Sequence, residues 1–217
     1  MRIAIAGAGQ VGRSIARELA ANGHSILLID RESSVHKIAA ENIETLQIDA
    51  CEIDSLSNAR LSECHVMVAA TGDDKANLVI SLLAKTEFGI SRVVARVNHP
   101  KNEWMFDESW GVDTAVSTPR ILSALVEEAV SVGDLVRLMK LRHGQANLME
   151  YTLEAGSKLA SRRVGDVQWP ADTTLVAILR EHQVITPSAD DPLEIGDELL
   201  FIATEDQELA LKKMLKP

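Results

Sequence analysis

The feature that most constrains the fold is a glycine-rich loop between an apolar, β-like run and a helical pattern, IAIAGAGQVGRSIARELAANG at residues 3–23. Gly7, Gly9 and Gly12 fit the spacing G-x-G-x-x-G. In such a unit the first glycine permits a tight turn, the second lets the backbone approach a pyrophosphate, and the third allows close helix–strand packing. The alternative is that the glycines serve packing alone, without a ligand.

The first half of the chain continues this alternation of short apolar runs and helical patterns, which is typical of βαβ units. We therefore predict an α/β fold, with a Rossmann-like doubly wound parallel sheet followed by a small α+β C-terminal domain. The predicted strands lie near residues 2–6, 25–29, 44–48, 65–70, 92–97 and 114–116, and the predicted helices near 11–22, 35–41, 54–61, 75–88 and 102–110.

An acidic residue, Asp30, ends the second predicted strand, 23 residues after Gly7. An acid at that place accepts hydrogen bonds from the adenosine ribose, while the phosphates lie on the free N–H groups of the helix N-terminus. Its charge disfavours a 2′-phosphate, although the cation of Arg31 weakens this argument. NAD(H) is thus preferred to NADP(H), and ATP, ADP and AMP stay open because they carry the same ribose and phosphates.

Polar residues also follow three other predicted strands, at the sheet edge where open α/β folds bind ligands. Asp49-Ala50 follows the third strand, and Asp49 would accept an adenine amino hydrogen. Thr71-Gly72 follows the fourth strand and would approach ribose or phosphate, while Arg96 ends the fifth as a candidate phosphate cation. Helix capping is the alternative role for Asp49 and for Asp73, and a salt bridge is the alternative for Arg96.

The chain divides into three predicted segments. Residues 1–117 form the nucleotide-binding domain, and residues 118–134 form a crossover helix or linker that starts at Thr118-Pro119. Residues 135–217 show short β-like runs, turn signals and a final helical pattern, which predict the small α+β domain. A domain of this size is near the lower limit for independent folding, so we expect it to pair with another copy.

Composition argues against several classes of protein. With 22 Lys and Arg against 32 Asp and Glu, the net charge of −10 repels polyphosphate backbones, and no nucleic-acid partner is predicted. No apolar run approaches the roughly 20 residues of a transmembrane helix, and the N-terminus lacks a signal-peptide pattern, so we expect a cytoplasmic protein. Cys51 and Cys64 lie outside any CxxC motif and are expected to be reduced.

The sequence offers little for catalysis. Tyr151 is the only tyrosine and has Ala155 four residues later, so a Tyr-x-x-x-Lys acid/base pair is absent. The six histidines show no metal-binding spacing, and His99 is most simply the residue before a helix that opens at Pro100. We predict no catalytic residue and no metal ligand. A nucleotide site without a reacting group is better interpreted as a sensor.

Taken together, these motifs make the whole chain resemble the TrkA-type potassium-uptake regulators, which are built of RCK domains. The resemblance rests on the glycine loop, Asp30, Asp49-Ala50, Arg96, AATGDDKAN at residues 69–77 and LEIGDEL at residues 193–199. It implies a cytosolic ring of dimers, with four or eight chains, docked on the inner face of the cell membrane under a separate potassium-translocating subunit. Nucleotide would bias the shape of the ring, and some similar proteins bind cyclic di-AMP in the C-terminal domain.

The resemblance also implies a set of ligand positions. Gln10 stands where ATP-selective relatives have an arginine, and residues 117–120 offer no acid for a bound cation, which argues against a γ-phosphate bridged by a divalent ion. The positions carried over are Gly7, Gly9, Gln10, Val11, Asp30, Asp49, Thr71 and Arg96. Gly12, Arg31, Ala50 and Gly72 complete the candidate site.

Three functions are therefore compared. The first is a non-enzymatic regulatory subunit of potassium transport that binds NAD(H) or an adenine nucleotide. The second is an NAD-dependent oxidoreductase with an unidentified substrate, which requires a proton donor or acceptor near the nicotinamide. The third, a redox-sensing DNA-binding repressor, requires a basic recognition helix that the sequence does not offer.

Overall fold

The computed structural model describes residues 1–37, 42–130, 133–141 and 146–215. The chain divides into two compact units, Met1–Pro119 and Arg120–Pro217. Each unit contains its own β-sheet, and each sheet packs into a hydrophobic core made by residues of the same unit.

The first unit is built on a six-stranded parallel sheet. Its strands are β1 (Arg2–Ala6), β2 (Ser25–Asp30), β3 (Ile43–Gln47), β4 (Val66–Ala69), β5 (Arg92–Val97) and β6 (Thr114–Ser117). They lie in the order β3-β2-β1-β4-β5-β6, with every neighbouring pair parallel. The predicted doubly wound sheet is therefore confirmed, and the direction of winding changes between β1 and β4.

Strand β1 lies inside this sheet, and its residues from Ile3 to Ala6 are apolar on both faces. Ile3 and Ile5 belong to one buried cluster, and Ala4 and Ala6 belong to another. Parallel sheets are covered on both faces, so their central strands are apolar throughout. The helices of this unit are α1 (Gln10–Ala21), α2 (Ile53–Ser57) and α3 (Asp74–Thr86).

Two predicted helices are wrong in detail. The pattern at residues 35–41 gives a 3-10 helix over Ser33–Lys37, and residues 38–41 lie outside the described chain. The pattern at 102–110 gives two 3-10 turns, Pro100–Met105 and Glu108–Trp110. Asp107 separates them because its side chain accepts a hydrogen bond from the Ser109 N–H at 2.9 Å, which starts a new turn.

The aromatic residues of this segment do not share one environment. Phe106 is buried in the core of the first unit, whereas Trp104 is 78% exposed and Trp110 is 36% exposed. Phe106 and Trp110 are four residues apart and would share a face in a continuous α-helix. The break between the two 3-10 turns separates them.

Helix α4 (Thr118–Val130) follows β6 directly, and the second unit contains an antiparallel five-stranded sheet. The strands are β7 (Val136–Lys140), β8 (Asn147–Thr152), β9 (Thr173–Arg180), β10 (Gln183–Ile185) and β11 (Glu198–Ala203), followed by helix α5 (Glu208–Leu215). Their order is β10-β9-β11-β8-β7, which confirms the predicted α+β class. The sequence reading missed β10, which pairs with β9 after a tight turn where Glu181 has a φ of 55°.

The core of the second unit closes around Tyr151 and Phe201, both fully buried. The Tyr151 hydroxyl donates a hydrogen bond to the Leu215 carbonyl at 3.0 Å, which ties the end of α5 to β8. The Phe201 ring lies 5.2 Å from the Trp169 ring in a tilted arrangement. A buried phenol needs such an acceptor, because an unpaired hydroxyl in a core is costly.

An ion pair between a buried carboxylate and a partly exposed arginine fixes the turn before β11. Asp197 is fully buried and binds Arg180 through two contacts, Oδ1 to Nε at 2.7 Å and Oδ2 to Nη2 at 2.9 Å. The hydrogen bond to Asp197 raises the pKa of Arg180 above its ordinary value. Asp197 Oδ2 also accepts from the Glu194 N–H at 2.8 Å, so one carboxylate holds both the strand and the turn.

Replacing Asp197 with Asn should lower the free energy of unfolding of the second unit by roughly 2 kcal/mol, because its charge-assisted hydrogen bonds to Arg180 are lost and Arg180 keeps only its ion pair with the exposed Glu194. Urea denaturation followed by circular dichroism measures this. The control is Asp190→Asn, since Asp190 pairs with Arg163 where both side chains are exposed, and its effect should stay below about 1 kcal/mol. Equal effects of the two changes would contradict the assignment.

Candidate functional site

A cavity of about 600 Å³ opens at the carboxyl ends of strands β1 to β5. This volume is within the range of roughly 300–1,000 Å³ of small-molecule sites, and the position beside the β1/β4 change of winding is where open α/β sheets bind ligands. The lining residues are Gly7, Ala8, Gly9, Arg13, Ile29, Asp30, Arg31, Glu32, Ile48, Asp49, Ala50, Cys51, Ala70, Thr71, Gly72, Asp73, Ala76, Ile80 and Arg96.

Most of the predicted site residues meet in this cavity, and three do not line it. Gln10 and Val11 form the first turn of α1, and Gly12 is buried behind them. The residues brought together at the cavity wall are Gly7, Gly9, Asp30, Arg31, Asp49, Ala50, Thr71, Gly72 and Arg96.

The three glycines of the loop differ in their surroundings. Gly7 has a φ of +104°, and a Cβ there would lie 2.8 Å from the Ala70 backbone. A Cβ on Gly12 would lie 1.8 Å from the Gly7 carbonyl oxygen, so α1 packs on the loop only because Gly12 has no side chain. Gly9 has nothing within 4 Å of its Cβ position. A Cβ at Gly9 would therefore lie in open space, at a residue that lines the cavity.

The Asp30 carboxylate holds the glycine loop in place. Oδ2 accepts a hydrogen bond from the Ala8 N–H at 2.5 Å, and Oδ1 accepts one from the Glu32 N–H at 2.9 Å. Each carboxylate oxygen has a second lone pair, so both oxygens retain an acceptor site for another donor. Asp30 can thus shape the loop and still accept a hydroxyl of a ligand.

The two other candidate acids make local turns. Asp49 Oδ1 accepts from the Cys51 N–H at 2.8 Å, and Asp73 Oδ1 accepts from the Lys75 N–H at 2.9 Å. Asp73 is the N-cap of α3, as the capping alternative predicts, while Asp49 does not cap α2, whose N-cap is Glu52. Asp73 and Asp49 both line the cavity in addition to these contacts.

Asn77, in the first turns of α3, links two strand ends at the cavity. Its Oδ1 accepts from the Thr71 N–H at 2.9 Å and from the Thr71 hydroxyl at 2.6 Å. Its Nδ2 donates to the Thr71 carbonyl at 3.2 Å and to the Arg96 carbonyl at 2.8 Å. The sequence analysis includes Asn77 only as the last residue of AATGDDKAN and assigns it no role, because its contacts are made across the fold.

Arginines enter the cavity from three directions. Arg13 comes from α1, Arg31 follows β2, and Arg96 lies near the end of β5. The Arg96 Nε is buried without a hydrogen-bond partner, and no ion pair joins Arg96 to a carboxylate in the described parts of the chain. The salt-bridge alternative for Arg96 is therefore not observed there. Arg13 was missed because its position in the helix carries no motif.

Asp74 anchors the segment that follows β5. This buried carboxylate accepts from the N–H groups of Asn98 at 2.6 Å and His99 at 3.0 Å, and from the side-chain amides of Asn98 at 3.0 Å and Asn102 at 2.8 Å. Burial raises the pKa of Asp74, but these hydrogen bonds favour the charged form and bring the pKa below its ordinary value. Asp74 stays ionised at neutral pH.

The cavity also holds a thiol. Burial raises the pKa of Cys51, and the neighbouring Asp49 carboxylate raises it further. Within the described residues, no group of three or more His, Cys, Asp or Glu is arranged to hold a metal ion. In the same part of the chain, no helix combines the length and the apolar character needed to cross a membrane.

Comparison with known proteins gives the family. The TrkA-N domain model matches residues 3–118, and the TrkA-C domain model matches residues 148–216. The Trk system potassium uptake protein TrkA of Mycobacterium tuberculosis strain ATCC 25618 / H37Rv is 55% identical over 218 aligned residues, which cover 100% of this chain and 99% of that protein.

Two solved structures have a similar fold. The GsuK channel bound to NAD has a TM-score of 0.68 at 17% identity, and the match covers 100% of this chain and 39% of the channel chain. The Kef C-terminal domain of Shewanella denitrificans in its AMP-bound form has a TM-score of 0.53 at 22% identity, over 60% of this chain and 80% of that chain. Since one family model covers more than half of the sequence and a relative matches it from end to end, the chain belongs to the TrkA family of Trk potassium uptake proteins.

Proposed function

We propose that this chain is the regulatory subunit of a potassium uptake system, which binds NAD(H) or an adenine nucleotide and gates a separate membrane subunit. The observation that carries the proposal is the cavity, where a glycine loop, the Asp30 carboxylate and Arg96 face one space, and Arg96 forms no ion pair within the described chain. Its family is that of potassium uptake proteins, and NAD and AMP are bound by the two structural neighbours.

In this proposal the adenosine and the phosphates of the nucleotide have partners. The ribose hydroxyls donate to Asp30, the adenine lies beside Asp49, and the phosphates rest on the N-terminus of α1, where free N–H groups and the helix dipole favour negative charge. Arg96 adds a cation on the β5 side. Glu32 also lines the cavity next to Asp30, so a 2′-phosphate would meet two carboxylates.

No catalytic turnover is part of the proposal. A dehydrogenase needs a proton donor or acceptor beside the nicotinamide. Within the described residues, the cavity wall contains no histidine, tyrosine or lysine, and the carboxylates of Asp30, Asp49 and Asp73 each accept a backbone N–H. Regulation instead requires that nucleotide binds two conformations of the assembly with different affinities, because equal affinity shifts no equilibrium.

Self-association is the second part of the proposal, and helix α4 supports it. Leu122, Leu125, Val126 and Val130 are each at least half exposed and lie on one face of this helix. Contiguous exposed apolar side chains usually mark an interface. A second copy of the chain would bind this face and form a dimer. Such dimers would assemble into rings of four or eight chains at the inner face of the membrane.

Gly9→Val tests the regulatory function directly. The side chain would project into open space, so the fold should persist while the pyrophosphate approach is blocked. Calorimetry should show loss of NADH binding. In proteoliposomes that contain the membrane subunit, the wild-type protein should change rubidium flux when NADH is added, and the variant should not. Ala21→Val, at the exposed end of α1 and outside the cavity lining, is the control.

Two results would contradict the regulatory proposal. One is an NADH-dependent flux change that survives in Gly9→Val with full NADH affinity. The other is steady oxidation of NADH by the purified protein with a carbonyl substrate, which would favour the oxidoreductase.

Asp30→Asn should weaken NADH binding by about 1–3 kcal/mol, because the ribose loses charge-assisted acceptors. The amide keeps the size of the side chain and one acceptor oxygen. With that oxygen turned to the Ala8 N–H the loop contact is kept, and only the bond from the Glu32 N–H is lost. Isothermal calorimetry measures the change, with Asp54→Asn in the exposed first turn of α2 as the control. Unchanged affinity would remove Asp30 from the site.

Leu125→Lys should dissociate the oligomer, because it places a charge in the apolar face of α4. Light scattering coupled to size exclusion should then report a mass near the 23.6 kDa of one chain. Glu127→Lys places the same side chain outside the apolar face, on the far side of the helix from Leu125, and should leave the oligomer intact. An unchanged mass for Leu125→Lys would exclude this face as the interface.

A further inference from the structure

Asn77 is fully buried, and all of its side-chain hydrogen-bonding groups have partners in the protein. The orientation of its amide is fixed by these partners. The Thr71 N–H can only donate, so the Asn77 oxygen must face it, and the Arg96 carbonyl can only accept, so the nitrogen must face Arg96. Asn77 itself does not line the cavity, whereas Thr71 and Arg96 both do.

The place of this contact in the sheet explains why it matters. Pairing between β4 and β5 ends at Ala69 and Ala95, so Arg96 is the first residue of β5 beyond that ladder. On its other side Arg96 still pairs with Val116 of β6. On the side that faces β4, the Arg96 carbonyl therefore accepts its hydrogen bond from the Asn77 side chain and not from strand β4.

Arg96 has little else to orient it. Its Nε is buried without a partner, and no carboxylate in the described parts of the chain forms an ion pair with it. A guanidinium that is not held by a counter-charge takes its direction from its own backbone. The bond from Asn77 Nδ2 to the Arg96 carbonyl, at 2.8 Å, fixes that backbone beside the cavity.

We propose that Asn77 is a positioning residue of the nucleotide site, which holds Arg96 so that its guanidinium meets the phosphates of the ligand. The inference rests on the function proposed above. It assigns to Asn77 a role in affinity that acts only through Arg96. If Asn77 only fastened α3 to the sheet, its replacement would lower stability and leave NADH affinity unchanged. Alternatively, it would reduce NADH affinity by the same factor with and without Arg96.

A double-mutant cycle separates these roles. Asn77→Asp keeps the size of the side chain and the bonds accepted from Thr71, but loses the two donated bonds and places an oxygen against the Arg96 carbonyl. Ser81→Ala is the matched control, since Ser81 is also fully buried on α3 and donates to the Asn77 carbonyl at 2.7 Å without lining the cavity. NADH affinity is measured by calorimetry on the full-length protein.

Asn77→Asp should weaken NADH binding about tenfold in the wild-type background, the scale of a lost hydrogen bond to a positioned group. In the Arg96→Ala background the same change should alter affinity by less than about twofold, because the residue it positions is gone. Ser81→Ala should leave NADH affinity within about twofold of wild type in both backgrounds.

Equal weakening by Asn77→Asp in both backgrounds would overturn the inference, as would full affinity of Asn77→Asp in the wild-type background. Absence of NADH binding by the wild-type protein is a different result, since it would overturn the proposed function itself.

Amide hydrogen exchange covers the case in which Asn77→Asp does not fold. The Thr71 N–H donates to Asn77 Oδ1, so its exchange reports on this contact. NADH should slow that exchange about tenfold in the wild-type protein, and Arg96→Ala should remove the slowing. Slowing that persists in Arg96→Ala, or that is absent from the wild-type protein, overturns the inference.

Discussion

The close approach of helix α1 to strand β1 is the constraint on which the first unit depends. It is possible only because residue 12 is glycine. A Cβ at this position would lie 1.8 Å from the Gly7 carbonyl oxygen, which is too close for any side chain. With the helix this close, its N-terminus points at the edge where the strands end. The Asp30 carboxylate then binds the Ala8 N–H and closes the loop. The cavity is therefore a consequence of backbone packing, with side chains added around it.

The sequence predicts those parts of the fold and site that depend on neighbours along the chain. The glycine loop and Asp30 can be identified because their roles require fixed spacing between a strand and a helix. Asn77, Arg13 and Glu32 carry no such spacing, since their roles come from strand ends that meet only after folding. Strand β10 was missed for a related reason, because three exposed or half-exposed residues have no apolar pattern until β9 offers a partner.

The helices show the same limit. A run of apolar and aromatic residues at 102–110 indicates an α-helix, yet Asp107 starts a second turn and sends Phe106 into the core. Capping by one side chain thus outweighs a short periodic pattern. The sequence predicts α1 and α3 correctly because an apolar periodicity over twelve or thirteen residues is not outweighed by one capping side chain.

The raised pKa of Cys51 affects the chemical reactivity of this cavity. Oxidants and electrophiles attack thiolates, and a thiol held in its protonated form beside a carboxylate reacts slowly with peroxide. Sulfenic acid formation at Cys51 is thereby disfavoured. Under the proposed function, the signal that reaches this cavity is therefore the nucleotide itself and not oxidation of its thiol.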